Sequence, residues 1–124
     1  MATESTLNTR SYPAGADLSG TQFRFVKLNT SGQAIACSVA GERAIGVLQN
    51  APDAVGKAAT VAVGGQTKVR FSAAVNPGVA IGTNASGDVK AAVSTEFVMG
   101  TVIENPAGAN LIGSIEFQPG AAVP

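Results

Sequence analysis

The groups in this chain that could carry proton or acyl transfer are Glu42, Glu96, the single thiol of Cys37 and a scatter of serines. There is no histidine, which removes the commonest general acid/base and the commonest metal ligand. Without it a serine has no triad base, and no Ser-x-x-Lys occurs. A working carboxylate pair needs two acids close together, one of them in an apolar pocket. The acids here are spread over turns, so Glu42, beside Arg43, and Glu96 read as solvated turn residues. Cys37 sits in the apolar run Ala34-Ile35-Ala36-Cys37-Ser38. A reactive thiol needs a base or a helix N-terminus nearby, so Cys37 reads as a small buried hydrophobe. One cysteine makes no internal disulfide and suits a reducing cytosol.

Gly56-Lys57 and Gly64-Gly65 lack the spacing of a phosphate loop, which places Lys and Ser/Thr at the start of a helix. Gly64-Gly65 reads as a tight hairpin turn. Arg24, Lys27, Lys68 and Arg70 could line up on adjacent strands with Phe23, Phe25 and Phe71, as in a sheet that binds single-stranded nucleic acid. The phenylalanines alternate out of phase with the charges, so they belong to the core face. The basic residues then read as a solvated strand face or a protein contact. The chain carries eight acidic and eight basic residues, and no long-range field favours nucleic acid or an anionic membrane. No apolar run reaches the length of a membrane span, about 18 residues. The start Met1-Ala2-Thr3-Glu4-Ser5-Thr6 has no basic or apolar region of a signal peptide.

These side chains must be held by strands. Residues 21–29 begin with Phe23 and Phe25 alternating with Gln22 and Arg24, and residues 33–39 return after a Ser31-Gly32 turn, which predicts a hairpin. Further strands are expected at residues 43–49, 58–63, 66–73, 79–83, 88–93, 97–103 and 111–117. In residues 66–73, Lys68 and Arg70 point one way, Val69 and Phe71 the other. No apolar spacing of helical period persists, and helix at residues 54–62 or 91–97 is not expected. Strands at this spacing indicate an all-β sandwich or barrel.

The stretch from Val26 to Asn50 recurs from Ile81 to Asn105: Asn29, Ser31 and Gly32 match Asn84, Ser86 and Gly87, Gly46 matches Gly100, and Gln49-Asn50 match Glu104-Asn105. The 124 residues make one domain, read as a β-body over residues 21–117 duplicated at about 21–65 and 79–117. A one-residue slip after Gly100 calls for a bulge near Gly100-Thr101. Residues 1–20, broken by Pro13, Gly15 and Gly20, read as an extended arm outside the packed body, and residues 118–124 as a tail. Charged residues are 13% of the chain, against a usual share of about 25%. The apolar share is mostly Ala and Val, with no Trp and one Tyr. Such side chains leave little apolar area to stabilise a monomer, and neighbouring subunits could supply it.

Ser31-Gly32, Ile45-Gly46-Val47 and Val61-Ala62-Val63, over residues 17–117, resemble the small capsid decoration, or cement, proteins of tailed bacteriophages. The second copy departs from the pattern with Met99-Gly100-Thr101, which leaves its strand register open. The resemblance implies a β-rich structural protein on the outer surface of the virion, made in the bacterial cytoplasm and bound to the major capsid protein as a homotrimer. It implies no enzymatic activity, cofactor, metal, small-molecule substrate, nucleic acid or membrane. On that reading the arm is a candidate capsid contact through Leu7, Tyr12 and Pro13, added as a strand to a capsid edge; a passive tail is the other reading. Lys68 and Arg70 are candidates for a subunit or capsid contact. The competing class is a fibre or spike module that binds a receptor or carbohydrate. Such modules present aromatic platforms, and this chain is poor in Trp and Tyr.

Overall fold

The computed structural model describes the backbone of residues 5–106 and 111–120, and side chains within those ranges from Asn8 onward. The described residues form strands and turns with no helix: β1 (Ser5–Pro13), β2 (Phe25–Leu28), β3 (Ala34–Ala36), β4 (Gly46–Leu48), β5 (Ala58–Phe71), β6 (Ala80–Thr83), β7 (Val89–Ala91), β8 (Gly100–Glu104) and β9 (Leu111–Phe117). The fold is all-β, as expected, and of the two architectures it is the barrel.

Strand β5 holds the molecule together. Its first part pairs with β1 and β4, and its second with β9 and, at Phe71 and Val89, with β7. Gly64-Gly65 is therefore not the expected tight turn but the middle of one long strand. Gly65 takes φ 93°, a backbone conformation that a side chain would resist. The bend lets one strand end one half of the protein and begin the next.

In the C-terminal unit, β5, β7, β6, β8 and β9 close on β5 as a mixed five-stranded barrel. Its interior is Val69, Phe71, Ile81, Val89, Met99, Val102, Ile115 and Phe117, all at most 2% exposed. Lys68 and Arg70 alternate out of it, as their spacing predicts.

The other four strands, with the first part of β5, repeat this plan as an N-terminal unit. Val26 faces Ala36 and Gly46; the corresponding Ile81 faces Ala91 and Gly100. Val47 and Leu48 face Ala62 and Val61; Thr101 and Val102 face Glu116 and Ile115. A single parallel bridge joins Ala14 to Ala34, where Phe71 joins Val89. The Gly15 N–H then donates to Ala34 O, as the Ser72 N–H does to Val89 O. Both hairpin turns are built alike. Asn29 Oδ1 accepts from the N–H of Ser31 and Gln33, and Asn84 Oδ1 from those of Ser86 and Asp88. The register of the second copy follows the first, with Gly100 in the place of Gly46.

Three expectations are corrected. Residues 5–13 are extended but not outside the packed body, because β1 is antiparallel to β5 from Pro13 opposite Ala58 outward. Beyond it, Ala14 and Leu18 are buried among Val26, Leu48 and Val61. By its bridges β1 is the counterpart of the second part of β5, with Tyr12 in the place of Val69. The first body strand begins at Phe25 and not at residue 21. Phe23 has φ 62° at the end of a turn in which the Arg24 N–H donates to Thr21 O. The bulge lies between Val102 and Glu104, because Gly100 and Thr101 hold a regular ladder to Phe117 and Glu116.

Candidate functional site

Glu42 and Glu96 occupy corresponding turns, and neither is a free solvated acid. Glu42 Oε2 accepts the Val39 N–H and Glu96 Oε1 the Val93 N–H. Lys27 Nζ lies 2.8 Å from Glu42, and Lys90 Nζ lies 2.6 Å from Glu96. The two lysines come from opposite strands of their hairpins, Lys27 from β2 and Lys90 from β7. A lysine at Gly82, the counterpart of Lys27, would put its Cβ 2.8 Å from Phe97 O, so the cation sits on the neighbouring strand. Each acid serves its own lysine, and the two do not form a catalytic pair. The Lys90 hydrogen bond, then that of the Val93 N–H, holds Glu96 below its ordinary pKa. Such a group stabilises the fold above the usual glutamate range and loses that contribution as pH falls through its lowered value. Beside these turns, the Arg43 guanidinium lies 4.7 Å from the centre of the Phe97 ring.

Cys37 is 2% exposed, in the core shared by the two units. Burial first, and then the Glu42 charge, pushes its thiol up to about 12. At mildly alkaline pH the native protein therefore holds far less thiolate than an ordinary cysteine. A disulfide-exchange reagent should label unfolded protein at once and native protein only at the rate of opening. Equally fast labelling with and without denaturant would contradict this burial.

The basic residues do not form a strip. Arg24 Nε lies 3.4 Å and Arg70 Nε 3.8 Å from the two carboxylate oxygens of Asp88. Arg24 also donates to Ser86 O. Asp88 opens the second hairpin's return, where the first has Gln33. Asp88 is 5% exposed, and burial raises its pKa more than the Arg24 and Arg70 charges lower it. Asp88 Oδ1 and Arg70 Nε have no hydrogen-bond partner. The group thus fastens the two units through three distant points of sequence. A raised carboxylate pKa means that stability falls as pH rises from the ordinary aspartate range through the raised value. Phe25 and Phe71 are fully buried and offer no face to a base.

The proposed contact residues fall into two groups. Leu7 belongs to β1, but its side chain lies outside the described residues. Tyr12 is half-buried against the core of the N-terminal unit. The Ala14 N–H donates to Lys57 O, so by strand alternation Ser11 and Pro13 turn their backbone groups away from β5. Pro13 has no N–H to offer there, which blunts that edge against strand addition. Lys68 and Arg70 lie on the outer face of the C-terminal barrel, opposite Ser114 and Ile112. Ile112, 39% exposed, lies on that face; Leu111, 46% exposed, stands opposite Phe71 and alternates to the other side, and Ile103, 41% exposed, belongs to β8. That face carries Lys68, Arg70 and Ile112, and Arg70 is also paired with Asp88. No cavity opens among the described residues, and no three acidic or thiol groups among them converge on a metal position. No protein-family model matches the chain, and no curated protein matches it.

Sequence reading missed Leu18, Ala14 and Asp88. Leu18 is the counterpart of Val75, which packs against the other core, but the match is offset by two residues from that of the hairpins. Nothing near Asp88 in sequence points to Arg24 or Arg70.

Proposed function

We propose that this protein is a structural component of a tailed-phage virion that binds the outside of the head and cements the capsid lattice. The observation that carries this reading is where the motif residues fall. Ile45-Gly46-Val47 and Val61-Ala62-Val63 lie on adjoining strands, in a hairpin unit that the chain builds twice. The partner is the major capsid protein, engaged by homotrimers, and the outer face around Lys68, Arg70 and Ile112 is the first candidate for that contact. A compact barrel whose described surface has no cavity is suited to recognition through faces.

The test mixes purified protein with expanded heads that lack it and sediments the mixture. Binding to the mature lattice alone should stabilise each occupied site by RT ln(1 + [L]/Kd), about 2.7 kcal/mol at a hundredfold excess over Kd. Decorated heads should therefore resist heat or chelator better than bare ones. No co-sedimentation would reject capsid binding, and equal disruption curves at saturation would reject cementing.

A further inference from the structure

At one end of each unit corresponding positions differ in burial, and those of the C-terminal unit are the more buried. In the C-terminal unit Val69, Thr83, Met99 and Phe117 are at most 2% exposed. They are covered by the N-terminal unit, whose Phe25, Cys37, Ala44 and Val47 turn from their own core and join this one. The Phe25 ring stands 6.3 Å from that of Phe117. The Phe25 N–H donates to Gly87 O, the Gly41 N–H to Thr83 O, and the Arg70 N–H to Phe23 O. In the N-terminal unit the same four positions are Tyr12, Leu28, Ile45 and Val63. They are equally apolar, yet half-buried or exposed. The turns agree: a Cβ on Gly87 would stand 3.0 Å from Phe25 O, whereas one on its counterpart Gly32 would meet nothing within 4 Å.

The covering face has an uncovered counterpart too. Ala80, Ala92, Val98 and Thr101 stand in the places of Phe25, Cys37, Ala44 and Val47, and each is half-buried or exposed. The contact between units is not reciprocal, since one unit covers and the other is covered. A contact of that kind can continue from one molecule into the next.

We propose that copies of this chain associate head to tail, the face of Ala80, Val98 and Thr101 in one copy covering the end formed by Tyr12, Leu28, Ile45 and Val63 in the next. Where Phe25 and Phe117 meet within the chain, the covering face of this association has Ala80 and the covered end Val63, and Tyr12 supplies the aromatic group. Charge follows the same logic. The counterparts of Arg24, Arg70 and Asp88 are Val79, Pro13 and Gln33, so all three ions are replaced together and none is left without its partner. Gln49 Nε2 donates to Thr67 Oγ1 at 2.9 Å within the chain. Their counterparts are Glu104 and Arg10, which this association sets opposite each other as acid and base. One backbone bond is lost, because Pro13 stands where Arg70 donates.

Sedimentation velocity on the purified protein tests this without any phage head. Association should rise with concentration. Arg10→Glu and Glu104→Arg should each weaken it about tenfold or more, by setting like charges together, and the two combined should restore it. Leu28→Glu, at an exposed position, should weaken it with an unchanged urea midpoint. A chain that stays monomeric up to about 1 mM, where a contact of even weak affinity forms, would overturn the proposal. So would a combined variant as weak as the single ones. Neither result bears on capsid binding, which the head-sedimentation assay reads separately.

Discussion

A chain begun at Ser19 should lose the folded N-terminal unit, not merely a tail. The truncation removes β1, which runs beside β5 from Pro13 opposite Ala58 to Ser5 opposite Gln66. It also removes Ala14 and Leu18, 0% and 1% exposed. A buried Leu cut to Ala costs about 2–5 kcal/mol. Each backbone bond on the freed edge of β5 adds about 1 kcal/mol net, and the single bridge from Ala14 to Ala34 is lost with them. A domain of this size holds about 5–15 kcal/mol in all, so the unit cannot absorb the loss. Hydrogen exchange should show β2 and β4 unprotected, while β6, β8 and β9 keep what protection remains. Leu18→Ala alone should lower the urea midpoint by an amount equivalent to about 2–4 kcal/mol. Protection of β2 and β4 that survives the truncation would refute the assignment of β1 to the core. The same result decides how lost capsid binding in such a truncation is read, since an unfolded unit and a missing contact then look alike.

The parts of this fold that could be read from the sequence are the local ones. Both hairpins were legible because Asn-x-Ser-Gly writes its own turn, with the Asn carboxamide bonding N–H groups two and four residues on. Lys68 and Arg70 were legible because strict alternation with Val69 and Phe71 leaves one register for a half-buried strand. What could not be read is non-local. β1 has a weak apolar face of its own, and its partner β5 lies some fifty residues away in sequence. Gly64-Gly65 looks like a turn because two glycines remove every local reason to stay extended; the neighbouring strands on both sides keep the strand straight enough to continue. The Asp88 cluster draws on residues 24, 70 and 88, and only the finished fold brings them together.

Gly46→Ala and Gly100→Ala should each be among the most damaging single substitutions in the protein. A Cβ on Gly46 would stand 2.1 Å from Ala62 O and 2.6 Å from Val61 Cγ1. On Gly100 it would stand 2.1 Å from Glu116 O. In both cases the obstacle is the backbone of the neighbouring strand, so no rotamer change relieves it. The sheet must open or the strand must slip, and a slip turns each following side chain to the wrong face. Overpacking a core costs about 1–3 kcal/mol, and with the backbone as the obstacle about 3 kcal/mol or more is expected for each. The comparison substitution is Gly20→Ala, where a Cβ meets nothing within 4 Å and the midpoint should not move. Equilibrium urea unfolding of the three variants makes the comparison. A midpoint for Gly46→Ala within about 0.5 kcal/mol of that for Gly20→Ala would show that β4 and β5 are not so close. The consequence for function is specific: Gly46, which is buried, shapes the fold and does not itself touch a partner. Binding to heads should therefore fall with the folded fraction in these variants, and the protein that remains folded should bind with its original affinity.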